Sequence, residues 1–431
     1  MVEESFLVQC MSKIVGCLVP SAFRTQRIIA WLLVLALFAA IFIPRIMLGS
    51  AGGHYSVDLR GEDVFLLLAF FAACGMRKTD TVVAASPEIF WIERLFISFL
   101  IAAVVSVFYG LYLGTIDKPL VSLLYVVKWC EYFLVFSLTA RLARQEAVRQ
   151  LFLQAFWVLG VLAVFYGFFE YFRPQGMAVY PNYYRLFERP PFHGDANHMG
   201  GLLSLWMALL AGVCFTVRQK RWAFAAGALV LAAFFPLIWT FSRKSYFALA
   251  GALSLAVFFP IKRRRWLWLG ALLVCAGLLL PTRLVSRVMD LGEVFSGSDP
   301  YHSSWSGNLD MWHRSFVHFD KLAAFGAGLG ARHRLFYESQ YVLIITETGV
   351  VGTFFYAVLV GSLAWLGFKR MQRAEVQSLN RALWVGWLLG WGAIMLHSAT
   401  CVSLTISKIA IPWWFLTGTL FARPEPEELL K

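Results

Sequence analysis

"YVLIITETGVVGTFFYAVLVGSLAWLGFKR", Tyr341 to Arg370, decides the fold. Its apolar stretch, 341–367, is long enough to cross a hydrocarbon core of roughly 30 Å as a helix, and a basic "FKR" closes it. One carboxylate, Glu347, interrupts the run, and another, Glu338, stands just ahead of it in "YESQY". Carboxylates are costly beside hydrocarbon, so each needs a reason to be there.

The same pattern recurs along the whole chain. Of 431 residues, 59% are hydrophobic and 15% charged, and the mean hydropathy is +0.67. A soluble protein needs a polar surface that this composition does not supply. Apolar runs predict helices at 28–43, 64–76, 95–114, 120–140, 151–172, 199–217, 223–240, 245–260, 266–281, 341–367, 382–397 and 402–421. The fold class is therefore all-α: a polytopic transmembrane helical bundle of about twelve spans, forming one integral membrane domain over 1–431. The first 27 residues carry acids and lack a small-residue cleavage site, so an amphipathic lead-in is expected there rather than a cleavable signal.

Basic residues set the orientation. With the N-terminus in the cytoplasm, "RLARQEAVR" (141–149), "RQKR" (218–221), "KRRR" (262–265) and "FKRMQR" (368–373) all fall on short inner connections, and both termini face inward. The net charge of +13 is explained by this topology and an anionic lipid surface, not by nucleic acid. Seven cysteines lie near or inside helices without CxxC spacing and read as small apolar packing residues. No metal motif and no cofactor motif is present.

Two long connections, 173–198 and 282–340, face outward, and function concentrates on such loops. No repeat relates the two halves, which argues against a transporter of the 6+6 type. The first loop holds Arg185, Arg189, His193, Asp195, Asn197 and His198. His193, Asp195 and His198 as metal ligands compete with a plainer reading as loop and capping residues; the plainer one is favoured, with Asp195 or Asn197 as the helix N-cap. The tight outer turn "TFSRKSYF" (240–247) places Arg243 and Lys244 against the positive-inside bias. Either they snorkel to headgroups, or they form an anion site with Ser242 and the following helix N-terminus. In the second loop, Trp305, Leu309, Trp312, Phe316 and Phe319 recur at helical spacing, predicting an amphipathic helix. "GAGLG" (326–330) follows as a flexible break, and then Arg332 and Arg334. Lys128 and Glu131, three apart on one helix, are expected to pair with each other.

Outer arginines, a carboxylate at a helix mouth and no nucleotide motif point to a substrate whose energy already lies in a lipid-linked diphosphate. Arginines would neutralise that leaving group, while a base deprotonates an acceptor hydroxyl. The ordered motifs "FHGDANHMGGLL", "TFSRKSYFALAGAL" and "NLDMWHRSF…FGAGLG…ESQYVLIITETGVVG" resemble the O-antigen ligase and O-antigen polymerase superfamily of bacterial inner-membrane glycosyltransferases, over about Phe192 to Gly352. The resemblance implies a GT-C-like fold, a periplasmic active site and metal-independent transfer from undecaprenyl diphosphate. It assigns diphosphate binding to Ser242-Arg243 and Arg189, matches Gly326, Gly328 and Gly330 to a glycine segment, and makes Glu347 and Gly349 structural. Where ligases carry a His-Asn pair, this chain has Glu338-Ser339, and Glu338-Ser339-Gln340-Tyr341 is closer to the polymerase pattern. Asn308 stands where an arginine is usual, with Arg314 nearby.

The expectation is thus a polymerase joining glycan repeat units between lipid diphosphate carriers. Glu338, Arg243 and Arg189 would be catalytic, and Ser242, Lys244, Arg314, Arg332, Arg334, His193, Asn197 and Tyr341 would contact substrate. The partners would be a lipid-linked donor, a glycan or lipid-linked acceptor, membrane lipids, and a flippase or chain-length regulator. A ligase acting on lipid A core or protein is the alternative of the same class, and a polysaccharide or lipid exporter that of another class.

Overall fold

The computed structural model describes residues 24–44, 46–50, 56–75, 86–173, 185–187, 196–256, 312–313, 324–331 and 338–422. The expected span 266–281, most of the amphipathic helix, and Arg189, His193, Arg314, Arg332 and Arg334 lie outside them.

The apolar runs form helices: α1 Arg24–Phe42, α2 Gly61–Cys74, α3 Pro87–Tyr112, α4 Pro119–Leu142, α5 Glu146–Phe172, α6 Ala196–Thr216, α7 Lys220–Trp239, α8 Arg243–Leu255, α9 Gln340–Arg373, α10 Leu379–Ser398 and α11 Ser407–Phe421. Seven of them, α1, α3 to α7 and α9, are long and apolar enough to cross a membrane. An antiparallel hairpin, β1 Ile46–Ser50 with β2 Ser56–Leu59, joins α1 to α2. Local chemistry sets the starts. Pro119 opens α4, and Pro87 opens α3 behind an Ser86 cap whose Oγ accepts the Ile89 N–H.

Helix α6 is the axis of the bundle and is buried almost all round. It packs most extensively on α10, then on α7 and α8. Small residues permit this closeness: a Cβ on Gly212 would stand 2.2 Å from the Gly386 backbone nitrogen, so the α6 and α10 backbones touch. Aromatic side chains fill the rest of the core, with Trp387 stacked on Trp413 at 5.2 Å and Phe96 tilted against Trp414 at 4.9 Å.

The basic connections among the described residues share one end of the bundle. The 217–219 and 374–378 segments meet there, with Arg218 N–H donating to the Gln377 carbonyl at 3.2 Å. Arg370, from the basic close of the quoted stretch, turns inward: its Nε donates to Glu88 at 2.8 Å and its Nη1 to the Phe421 carbonyl at 3.0 Å. Arg141 reaches the Glu93 carboxylate of α3 at 2.5 Å.

Two expectations change here. The run 402–421 is not one helix: Ser403–Thr405 forms a 3-10 turn, and α11 starts only at Ser407. The stretch 341–367 is not continuous either, because Gly349 adopts φ 64° and ψ −166° inside α9. "GAGLG" explains that break, and it is not a flexible spacer. Gly326, Gly328 and Gly330 all have positive φ, a conformation that glycine takes without steric cost. They let the strap 324–331 bond to the broken helix: Ala327 N–H to Thr346 carbonyl at 2.8 Å, Gly328 N–H to Glu347 carbonyl at 3.0 Å, and Val351 N–H to Ala324 carbonyl at 3.2 Å. Ser106 Oγ also donates to the Glu347 carbonyl, at 2.5 Å.

The expected pairing of Lys128 with Glu131 is present at 2.7 Å, and Asp63 of α2 joins it at 2.5 Å.

Candidate functional site

Among the described residues, several of the polar side chains singled out in the sequence gather at the other end of the bundle, where α7 turns into α8. Thr240–Ser242 makes that turn. Its geometry is strained: Phe241 has φ 50°, in the left-handed region that non-glycine residues avoid. Trp239 holds Phe241 edge-on, with ring centres 5.7 Å apart. Ser242 then caps α8 in position, its carbonyl accepting the Ser245 N–H at 3.1 Å. Arg243 and Lys244 are the first two residues of α8, so their charges sit at the positive end of a helix dipole. Both are half-buried.

Lys244 donates to the Glu338 carboxylate, across 94 residues of chain. Glu338 is held from behind. Ser339 caps α9, the Gln340 N–H donates to the Cys401 carbonyl at 3.2 Å, and the Leu404 N–H donates to Gln340 Oε1 at 3.2 Å. The carboxylate side chain is 33% exposed and the lysine 20%, so the pair opens to the bundle's end.

A second arginine reaches this turn, and it is Arg185. It is buried, with Nε donating to the Thr240 carbonyl at 2.9 Å and Nη2 to Asn197 Oδ1 at 3.0 Å. Asn197 lies inside the first turn of α6, which begins at Ala196, so it is not the N-cap that its loop position suggested. The short segment 185–187 is fastened by two backbone donors: Leu186 N–H to the Trp239 carbonyl at 3.0 Å, and Phe187 N–H to Glu170 Oε2 at 2.6 Å. Glu170, buried at the end of α5, thus holds the loop that carries Arg185. Phe187 is the second strained residue of the site, at φ 65°. Non-glycine residues in this region cost of order 1–3 kcal/mol each and persist where the surroundings over-determine them.

Beneath the α8 N-terminus runs a buried polar chain. Ser242 Oγ and Ser245 Oγ lie 2.9 Å apart, Ser245 Oγ is 3.3 Å from His397 Nε2, and His397 Nδ1 is 2.8 Å from Ser403 Oγ. Two adjacent glycines make room for it. A Cβ on Gly200 would meet Ser245 Oγ at 2.4 Å, and one on Gly201 would meet His397 Cε1 at 3.0 Å. This is what the "MGG" of the first motif does. Tyr341 is on the same rim, but its hydroxyl donates to the Met395 carbonyl at 2.7 Å, so it ties α9 to α10.

Of the residues expected at a site, Ser242, Arg243, Lys244, Asn197, Glu338 and Tyr341 come from three separate segments and meet here. Glu347 does not join them. Nine residues on from Glu338, inside α9, its carbonyl serves the glycine strap. Sequence reasoning named Arg185, Glu170 and Cys401 without giving them a place at this site, and passed over Ser245 and His397. A lone histidine closing an apolar helix was the available signal for His397, while Arg185 differed from Arg189 in nothing the sequence displays.

Cys401 is buried, as a packing residue would be, but His397 and His198 act on its thiol. Burial alone would raise the thiol pKa, but the two imidazoles outweigh it and bring the group down to about 5. Among the described residues no group of three or more His, Cys, Asp or Glu side chains is arranged to hold a metal ion.

No family model matches the chain, and no curated protein matches it. Chemically, the cluster offers three cationic groups, a helix N-terminus and one carboxylate within a single turn region. That combination suits an anion with two or more phosphate oxygens beside a hydroxyl that must lose a proton.

Proposed function

We propose that this chain is a glycosyltransferase using a polyprenyl diphosphate-linked glycan, extending a polysaccharide by joining repeat units. It would be a GT-C-like enzyme of about twelve spans in a bacterial inner membrane, with its termini in the cytoplasm and the site end in the periplasm. The observation that carries the reading is the contact of Lys244 with Glu338. It joins the proposed diphosphate-binding motif to the proposed base.

In this reading Ser242, Arg243 and Arg185 receive the diphosphate at the α8 N-terminus. Charge-assisted bonds from a guanidinium fork grip two phosphate oxygens at once. The diphosphate carries more charge than a carboxylate and draws the Lys244 ammonium onto itself. Glu338, freed of its partner, then accepts the proton of the incoming acceptor hydroxyl. The acceptor oxygen attacks the anomeric carbon, the bond from that carbon to the diphosphate oxygen breaks, and lipid diphosphate leaves with its charge held by the arginines. The base is thereby exposed only when a donor is bound, which limits wasteful hydrolysis.

The test is direct. Purified chain in EDTA, given a polyprenyl diphosphate-linked oligosaccharide, should form longer glycans and release polyprenyl diphosphate. Longer glycan indicates a polymerase; transfer only onto lipid A core or protein indicates a ligase. No product with any lipid diphosphate donor would overturn the reading.

A further inference from the structure

The transfer chemistry proposed above makes no use of the charged cluster between α2 and α4. Around the single Lys128 ammonium lie three carboxylates: Asp63 at 2.5 Å, Glu131 at 2.7 Å and Glu62 at 3.7 Å. Arg60 is the next cation, 3.9 Å from Glu62, and its Nη1 also donates to Ser407 Oγ at 2.9 Å. Three carboxylates thus share two cations, which leaves one negative charge in excess. Charge without a counter-charge is costly away from water, and Lys128 and Glu131 are each only 17% exposed.

Glu62 is the least satisfied member. Its side chain is 3% exposed, yet the two cations that face its carboxylate stand at 3.7 and 3.9 Å, beyond hydrogen-bond distance. A buried carboxylate held by no hydrogen bond calls for an explanation. The neighbouring groups do not supply one. Tyr132, next to Glu131 on α4, donates its hydroxyl to the Thr405 carbonyl at 2.9 Å, and Cys130 is exposed. α11 brings Ser407 to Arg60, with Lys408 following it, and Ile43 at the end of α1 lies against Gly61. Since α2 packs chiefly on α1 and sparsely on α4, these charges are a main fastening between α2 and α4.

We propose that Glu62, Asp63 and Glu131 form a proton-binding site, in which one proton held by the trio balances the cluster at neutral pH and keeps α2 docked on α4. A carboxyl group that carries the proton no longer repels its neighbours, and it becomes a donor as well as an acceptor. Between groups this close the proton belongs to the set rather than to one residue. The unfolded chain has no such set: its carboxyl groups, with ordinary values near about 4, are bare at neutral pH. The folded chain therefore binds one proton more, so the fastening is strongest in acid and weakens as pH rises until the proton leaves. This site stands independently of what the chain transfers.

The experiment takes the full chain in lipid nanodiscs and records infrared difference spectra between about pH 6 and about pH 9. The parent should show the carbonyl stretch of a protonated carboxylic acid that disappears on the alkaline side. Glu62→Gln, Asp63→Asn and Glu131→Gln, measured singly, should each lack that band, because the two remaining carboxylates are balanced by Lys128 and Arg60 and need no proton. No such band in the parent, or a band that any folded variant retains at full strength, overturns the proposal. Asp63→Asn alters a partly exposed group and keeps an acceptor for the Arg60 N–H, so it decides the matter where the buried variants do not fold. Its stability gives a second readout: relative to Asp63→Asn, the parent's denaturation midpoint should fall as pH rises across the same range, and a constant difference overturns the proposal. Replacing sodium by choline in the buffer should change neither band nor midpoint. A midpoint that follows sodium at fixed pH would mean that a metal cation balances the cluster, and would overturn it too.

Discussion

The two ends of the bundle hold similar residues in opposite ways. At the basic end, charged side chains pair with one another or with helix termini. Arg370 is buried between Glu88 and the Phe421 carbonyl, with its guanidinium 5.2 Å over the Phe421 ring. Arg141 binds Glu93, and Arg149 binds Glu146. At the other end the backbone is strained at Phe187 and Phe241. Buried serines and a histidine form a chain with no apolar substitute, and the Lys244–Glu338 pair is open to one side. Charges at the first end fasten helices together. At the second end, several helices fasten a few charges. Strain and buried polarity of that kind are tolerated where function requires them.

Mutations should separate the ends. Arg243→Ala should lower glycan transfer by about 10³-fold with the protein still folded, the effect of removing a charge that stabilises a leaving group; transfer assays with a melting control check this. Glu338→Gln should cost on the order of 10²-fold in the same transfer assay. Arg370→Ala should do the reverse. It leaves Glu88 and the Phe421 carbonyl without their donor and should destabilise the chain by about 3 kcal/mol, while turnover per folded molecule stays within about twofold. If Arg370→Ala halted transfer in folded protein, the contrast between the ends would fail.

Gly349→Ala should cost about 2 kcal/mol. It forces a side chain into positive φ, with its Cβ 2.5 Å from the Ala324 carbonyl oxygen. Chemical denaturation in detergent should show the loss, and Gly361→Ala, where a Cβ meets open space, should not. A pH-dependent effect concerns Cys401. Its folded-state pKa of about 5 lies below the ordinary value of 9.0, so its ionisation stabilises the fold fully above pH 9 and progressively less as pH falls towards 5. The melting-temperature advantage over Cys401→Ser should therefore shrink on acidification across that window.

Much of the architecture was legible because a membrane imposes a simple code. Apolar length marks helices, and the basic connections that share one end were visible as "RLARQEAVR", "RQKR" and "FKRMQR". The break at Gly349 was not, because a run such as "ITETGVVG" keeps its apolar character whether or not one glycine leaves the helix. The motifs flagged Ser242, Arg243 and Glu338 one by one. Their meeting was illegible, since it depends on Gly200 and Gly201 letting α8 and α10 approach α6. Arg185 was passed over for Arg189 for the same reason: only the fold shows which arginine reaches Thr240 and Asn197.

The most direct measurement is a transfer assay on purified chain with a polyprenyl diphosphate-linked oligosaccharide in EDTA, with the parent and Arg243→Ala run side by side. The account predicts longer glycan and released polyprenyl diphosphate from the parent, and a folded but inactive variant. Equal product from both chains, or none from the parent, would contradict it.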